Sequence, residues 1–106
     1  MRYYPAFIDL ADASVAFLGG SADLANKVRL LSKTPAQLVL YGAQIDASLE
    51  ALVSDGKARW KRGEASDADL AAARFIYIAS DDDAQRQALI ARARETSALV
   101  NVVDVT

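Results

Sequence analysis

The run Ser14-Val15-Ala16-Phe17-Leu18-Gly19-Gly20-Ser21, continued by Ala22 to Lys33, constrains the fold more than any other part of this chain. An apolar stretch of strand character ends on two glycines. An amphipathic pattern then begins at once, with Leu24, Val28 and Leu31 on one stripe at helical spacing. A strand, a glycine turn and a helix in that order leave backbone amides bare at the helix start, where nucleotide-binding α/β proteins hold phosphate. Thr34-Pro35 is expected to end the helix, because the residue before a proline is pushed out of the α region.

The rest of the chain repeats the alternation. Gln37 to Tyr41 reads as a second strand turned by Gly42, and Asp46 as the N-cap of a short helix carrying Leu49, Leu52 and Val53 that Asp55-Gly56 breaks. Ala58 to Arg62 reads as a third strand whose alternating charges suit an exposed or edge position. Ser66 or Asp67 caps a single helical turn ending near Ala73. Phe75 to Ala79 is almost continuously apolar, so both of its faces are expected to be buried. A helix over Ala84 to Glu95 and a last strand over Ala98 to Val103 complete the series; Met1 to Asp12 reads only as an extended segment with a turn at Tyr4-Pro5. This order predicts an α/β fold: a Rossmann-like parallel sheet of about five strands with helices on both faces. Its length suits a single domain spanning residues 1–106.

Composition narrows the chemistry. Cysteine is absent, which excludes disulfides, thiolate catalysis and zinc–thiolate sites. Histidine is absent too, so proton transfer falls to Asp, Glu, Lys or Tyr, and no metal site is expected. A formal net charge of −2 offers no electrostatic footprint for nucleic acid. No apolar run approaches the roughly 18 residues of a membrane span. The segment after Arg2 is interrupted by Asp9 and Asp12, so it has no signal-peptide core. A cytoplasmic protein with neither nucleic-acid nor membrane partners is expected.

Three places carry candidate chemistry. Set against the dinucleotide fingerprint G-x-G-x-x-G, Gly19 fills the first position, Ser21 the second and Leu24 the third. A tight structural turn and a pyrophosphate cradle formed by Gly19, Gly20 and Ser21 both remain open readings. The acid that grips the adenosine ribose belongs at the end of the second strand. Tyr41-Gly42-Ala43-Gln44 stands there instead, with Gln44 as a weaker ribose partner and NAD against NADP undecided. Ser80-Asp81-Asp82-Asp83 reads first as a helix cap, but it also follows a strand where ligands sit in open sheets, which makes Ser80 and Asp81 candidate contacts. Asp104, after the last strand, is the candidate acid/base, or else a solvated turn residue.

These residues resemble a known family. Tyr4-Pro5-Ala6-Phe7-Ile8-Asp9-Leu10, Gly19-Gly20-Ser21 with Lys27-Val28-Arg29-Leu30-Leu31, Ala79-Ser80-Asp81-Asp82 and Asn101-Val102-Val103-Asp104 are similar, in order and spacing, to the N-terminal region of siroheme synthases. That is the precorrin-2 dehydrogenase and sirohydrochlorin ferrochelatase family. The resemblance implies NAD-dependent oxidation of precorrin-2 to sirohydrochlorin and, in many members, insertion of ferrous iron as a second substrate. It implies a homodimer whose tetrapyrrole cleft uses segments beyond this region. It implies cofactor contacts at Ala22, Asp23, Ala43 and Gln44, and one aspartate serving both reactions, which maps onto Asp104. The competing expectation is a non-catalytic nucleotide-binding or regulatory module on the same fold.

Overall fold

The computed structural model describes residues 13–103. Five strands, β1 (Ser14–Leu18), β2 (Gln37–Gly42), β3 (Arg59–Arg62), β4 (Ala73–Ile78) and β5 (Leu99–Val102), form one sheet in the order β3-β2-β1-β4-β5. Every neighbouring pair is parallel, so all strands end at the same edge. The chain winds outward from β1 through β2 to β3, then crosses back to β4. That reversal makes the C-terminal end of β1 a topological switch point, where open α/β sheets place their ligands.

The expected helices form, with local signals setting their ends. A 3-10 turn over Ala22–Leu24 leads into α1 (Ala25–Leu31), and Leu24 and Val28 are fully buried. α2 (Ala47–Ser54) is capped by Asp46, whose carboxylate accepts from the Ser48 amide. α3 (Asp67–Ala72) starts with a reciprocal capping box: Ser66 Oγ accepts from the Asp69 amide, and the Asp69 carboxylate accepts from the Ser66 amide. α4 (Asp83–Arg94) is capped by Asp82.

Alternation along the strands supplies two cores. Val15, Phe17, Leu38 and Leu40 meet Leu24 and Val28 on the α1 side and Leu49 and Leu52 from α2. Ala16, Leu18, Val39, Tyr41, Ile76 and Ile78 meet Leu70 of α3 and Ala93 of α4 on the other side. Helices therefore lie on both faces, as expected, and β3 is an edge strand. One expectation fails. β4 is not buried on both faces: Ile76 and Ile78 are buried, but Phe75 and Tyr77 are only half-buried. The helices that chiefly contact β4, α3 and α4, do not lie on the side of Phe75 and Tyr77, and Tyr77 finds its cover by stacking on Phe17 at 5.3 Å between ring centroids. The extended reading of Met1–Asp12 lies outside the described residues.

The capping carboxylates give stability a pH dependence. The Ser48 hydroxyl and amide hold the Asp46 carboxyl below its ordinary range, and the Ser66 amide and hydroxyl do the same for Asp69. Both values are lowered on folding. Their contribution is therefore complete above the unfolded value of about 4 and is lost as pH falls through the lowered folded values. Asn can still cap but cannot titrate. The double variant Asp46→Asn, Asp69→Asn is expected to lose less melting temperature than the parent between about pH 4 and pH 2, as thermal melts across that range will show.

Candidate functional site

The glycine turn is tied to two other loops by its own backbone. Gly19 and Gly20 adopt positive φ, +108° and +69°. A Cβ on Gly19 would lie 1.9 Å from the Ala79 carbonyl oxygen, and one on Gly20 would lie 2.4 Å from that of Gln44. Two hydrogen bonds hold this approach: the Ala79 amide donates to the Leu18 carbonyl at 3.0 Å, and the Asp46 amide to the Gly20 carbonyl at 3.0 Å. The loops after β1, β2 and β4 thus meet at one point of the sheet edge. The glycines are required there by the protein's own packing, before any ligand is considered.

Around that point lie two hollows that share Gly19, Gln44 and Gln85 as a common wall. The larger, about 590 Å³, runs along the glycine turn and is flanked by Ser21, Ala22 and Asp23 on one side and by Ser80 and Asp81 on the other. The smaller, about 380 Å³, opens beside Gly42 and Ala43 at the end of β2, with Tyr41 and Leu89 among its apolar walls. The structure places Gly19, Gly20, Ser21, Ala22, Asp23, Ala43, Gln44, Ser80 and Asp81 around these two hollows at one edge. Asp104 lies outside the described residues; the chain leading to it is fixed up to Val103, whose amide donates to the Ile78 carbonyl at 2.7 Å.

Individual side chains are committed in ways that the residue types alone do not tell. Ser80 is buried, and its hydroxyl is engaged within its own loop, accepting from the Asp82 amide and bonding Gln85. Ser21 caps the 3-10 turn, its Oγ accepting from the Asp23 amide and donating to the Asp23 carboxylate at 2.9 Å. Leu24 at the third fingerprint position sits wholly in the core.

The larger hollow has a one-sided charge. Among the described residues, Asp23, Asp46, Asp81 and Asp82 line it and no lysine or arginine does. Among the described residues, no three acidic groups come together as a metal site. The residues are compatible with a dinucleotide: glycine backbone runs along the larger hollow, and the hollow beside β2 has Tyr41 and Leu89 as apolar surface for a flat base. The aspartates oppose the charge of its pyrophosphate, so the fit is steric and hydrogen-bonded with an electrostatic penalty.

A charged residue at this edge, Glu64, was not among the sequence candidates. Glu64 lines the smaller hollow and, among the described residues, is the only charged one to do so. The signal for it lay in strand register. Gly42 pairs with Arg62, and the Gly63 amide donates to the Gly42 carbonyl at 3.1 Å, so the residue after Gly63 belongs to the end of β2 as much as to β3.

Comparisons with known proteins agree with this geometry. A siroheme synthase of Actinobacillus pleuropneumoniae serotype 7 is 31% identical over 104 residues, 98% of this chain and 21% of the relative. One from Neisseria meningitidis serogroup C is 33% identical over 104 residues, 98% of this chain and 22% of the relative. The chain thus spans about a fifth of the length of these curated relatives. Among solved structures, SirC, a precorrin-2 dehydrogenase, superposes with a TM-score of 0.75 at 24% identity, covering 93% of this chain and 48% of that one, which supports the fold. The family described as putative NAD(P)-binding matches residues 6–106. The likeness to the N-terminal region of siroheme synthases is borne out, and the chain belongs to the putative NAD(P)-binding family.

Proposed function

We propose that this chain binds NAD and forms the cofactor-binding part of an enzyme that oxidises precorrin-2 to sirohydrochlorin. The observation that carries the proposal is the convergence of the loops after β1, β2 and β4, locked by glycine-only backbone contacts, on a hollow large enough for a dinucleotide. The family match supports the cofactor class, and the resemblance to siroheme synthases, with the likeness to a precorrin-2 dehydrogenase, supports the substrate.

NAD, when bound, accepts a hydride from the substrate. The chain's own residues would hold it: the Gly19–Ala22 turn would face the pyrophosphate, Ala43 and Gln44 the adenosine half, and Ser80 and Asp81 the opposite wall. Asp104 takes the proton that leaves with the hydride, so the macrocycle gives up two electrons and two hydrogens in all. With neither histidine nor cysteine in the chain, a carboxylate is the natural acceptor. Ferrous iron as a second substrate, a homodimer and a cytoplasmic setting belong to the same proposal on the strength of the resemblance. Among the described residues, no helix is long and apolar enough to cross a membrane. The non-catalytic alternative rested on the changed fingerprint. The siroheme synthase relatives and the family match favour the enzyme reading over it.

Calorimetry with NAD tests the reading. Binding in the micromolar to millimolar range is expected. Asp23→Asn should tighten it by roughly threefold to tenfold, the equivalent of removing about 1 kcal/mol of repulsion near the pyrophosphate. Raising salt should narrow that gap by screening. Absence of any heat with NAD at about 1 mM, a standard free energy of only about −4 kcal/mol, overturns the proposal.

A further inference from the structure

We infer that Glu64 is the residue that sets this site's choice between NAD and NADP, standing in from β3 for the ribose-binding acid that β2 lacks. The inference rests on the NAD-binding reading above and goes on to say how the adenosine half is selected.

In dinucleotide-binding folds the acid at the end of the second strand accepts hydrogen bonds from the adenosine ribose and repels a 2′-phosphate. Here that strand ends Tyr41-Gly42-Ala43-Gln44, with no charge of either sign. Among the described residues, the hollow beside it is lined by one charged residue, Glu64, with neutral walls around it. Its backbone position is fixed with respect to β2 by the Gly42–Gly63 bridge and the 3.1 Å bond from the Gly63 amide to the Gly42 carbonyl. The Trp60 indole adds a second tie from β3, donating to the same Gly42 carbonyl at 2.9 Å. The end of β3 is therefore fastened to the end of β2, and an acid two residues beyond Arg62 occupies the ribose corner.

The cations nearby are engaged elsewhere. Arg62 lies over the Trp60 ring, 4.6 Å from its centroid, on the opposite face of β3 from Lys61. Lys61, which shares its face with Tyr41, is 3.4 Å from the Asp69 carboxylate. Glu64 itself is exposed and makes no ion pair among the described residues. A 2′-phosphate entering this corner meets an uncompensated carboxylate, whereas a 2′-hydroxyl meets a hydrogen-bond acceptor. The same carboxylate thus favours one cofactor and disfavours the other.

Dissociation constants for NAD and NADP, measured by calorimetry on the whole chain, test this. The parent protein is expected to favour NAD about tenfold or more. Glu64→Gln keeps an acceptor and removes the charge; it should narrow the preference severalfold by improving NADP binding, with NAD changed little. Glu64→Lys should reverse the preference. Salt should weaken the parent's preference but not that of Glu64→Gln, a dependence that a merely structural role would not produce. Glu64 is exposed, so both variants are expected to fold, and circular dichroism checks it. Intact NAD binding with an unchanged NAD-to-NADP ratio in both variants overturns the role of Glu64 alone. Binding of neither cofactor by the parent overturns the NAD-binding reading and this inference with it.

Discussion

Gly19→Ala is expected to lower the melting temperature by about 15 °C or more and to abolish cofactor binding. Two costs add. The backbone there has φ +108°, which an L side chain resists by about 1–2 kcal/mol. The new Cβ would also lie 1.9 Å from the Ala79 carbonyl oxygen and 2.8 Å from the carbonyl carbon. Neither is the movable tip of a side chain. The β1 and β4 ends must part, and the bond from the Ala79 amide to the Leu18 carbonyl is strained or lost. A combined penalty of about 3 kcal/mol or more is a large share of a typical stability of about 5–15 kcal/mol. For a domain near this length, each kcal/mol moves the melting temperature by about 4–8 °C. Gly56→Ala is the internal control, because Gly56 has φ +76° but open space where its Cβ would go. It should show only the conformational cost, a shift of several degrees. Equal shifts in the two variants would remove the close-approach argument and leave Gly19 an ordinary turn residue.

The contrast between these glycines bears on how such turns are read. A glycine fingerprint is usually explained by the ligand. Here Gly19 and Gly20 are explained first by the protein, which brings three loops together through them. The binding edge is a by-product of that packing, because loops held this closely leave their amides and side chains around one hollow. Ser21 and Leu24 depart from the fingerprint without breaking this arrangement: Ser21 caps the turn, and Leu24 is absorbed by the core beneath it.

Much of this was legible because its causes are local. Four apolar residues before Gly19-Gly20, Asp46 before a short helix, and Ser66 three residues before Asp69 each state their structure within a few positions. The parallel sheet followed from the alternation of such units, since parallel strands need crossovers. What was not legible depends on which elements become neighbours. Phe75 and Tyr77 look like core residues in an apolar run, but α3 and α4 cover the other side of their strand. Ser80 lines the hollow, but that its hydroxyl is engaged by Asp82 and Gln85 is not readable from the residue types. Glu64 has no local motif and gains its position only through the β2–β3 register, which the sequence does not print.

Asp104→Ala is expected to reduce oxidation of precorrin-2 by at least about a hundredfold while leaving the NAD dissociation constant within about twofold. The size follows from the proposed role, since a positioned general base contributes about 10²–10⁴-fold. The selectivity follows from the topology. The residues proposed to hold NAD come from the loops after β1, β2 and β4, with Glu64 after β3, whereas Asp104 follows β5, the strand next to β4 at the end of the sheet. A group that removes a proton from the substrate and not from the cofactor should change turnover and spare cofactor affinity. Asp104→Asn sharpens the test, because it keeps the shape and the hydrogen bonding but cannot accept the proton; it should be as impaired as alanine. If Asp104→Asn turns over normally, the proton leaves by another route and the carboxylate has no part in the chemistry. If both variants instead lose NAD binding in parallel with turnover, Asp104 belongs to the cofactor site and the division of labour between the strand ends is wrong.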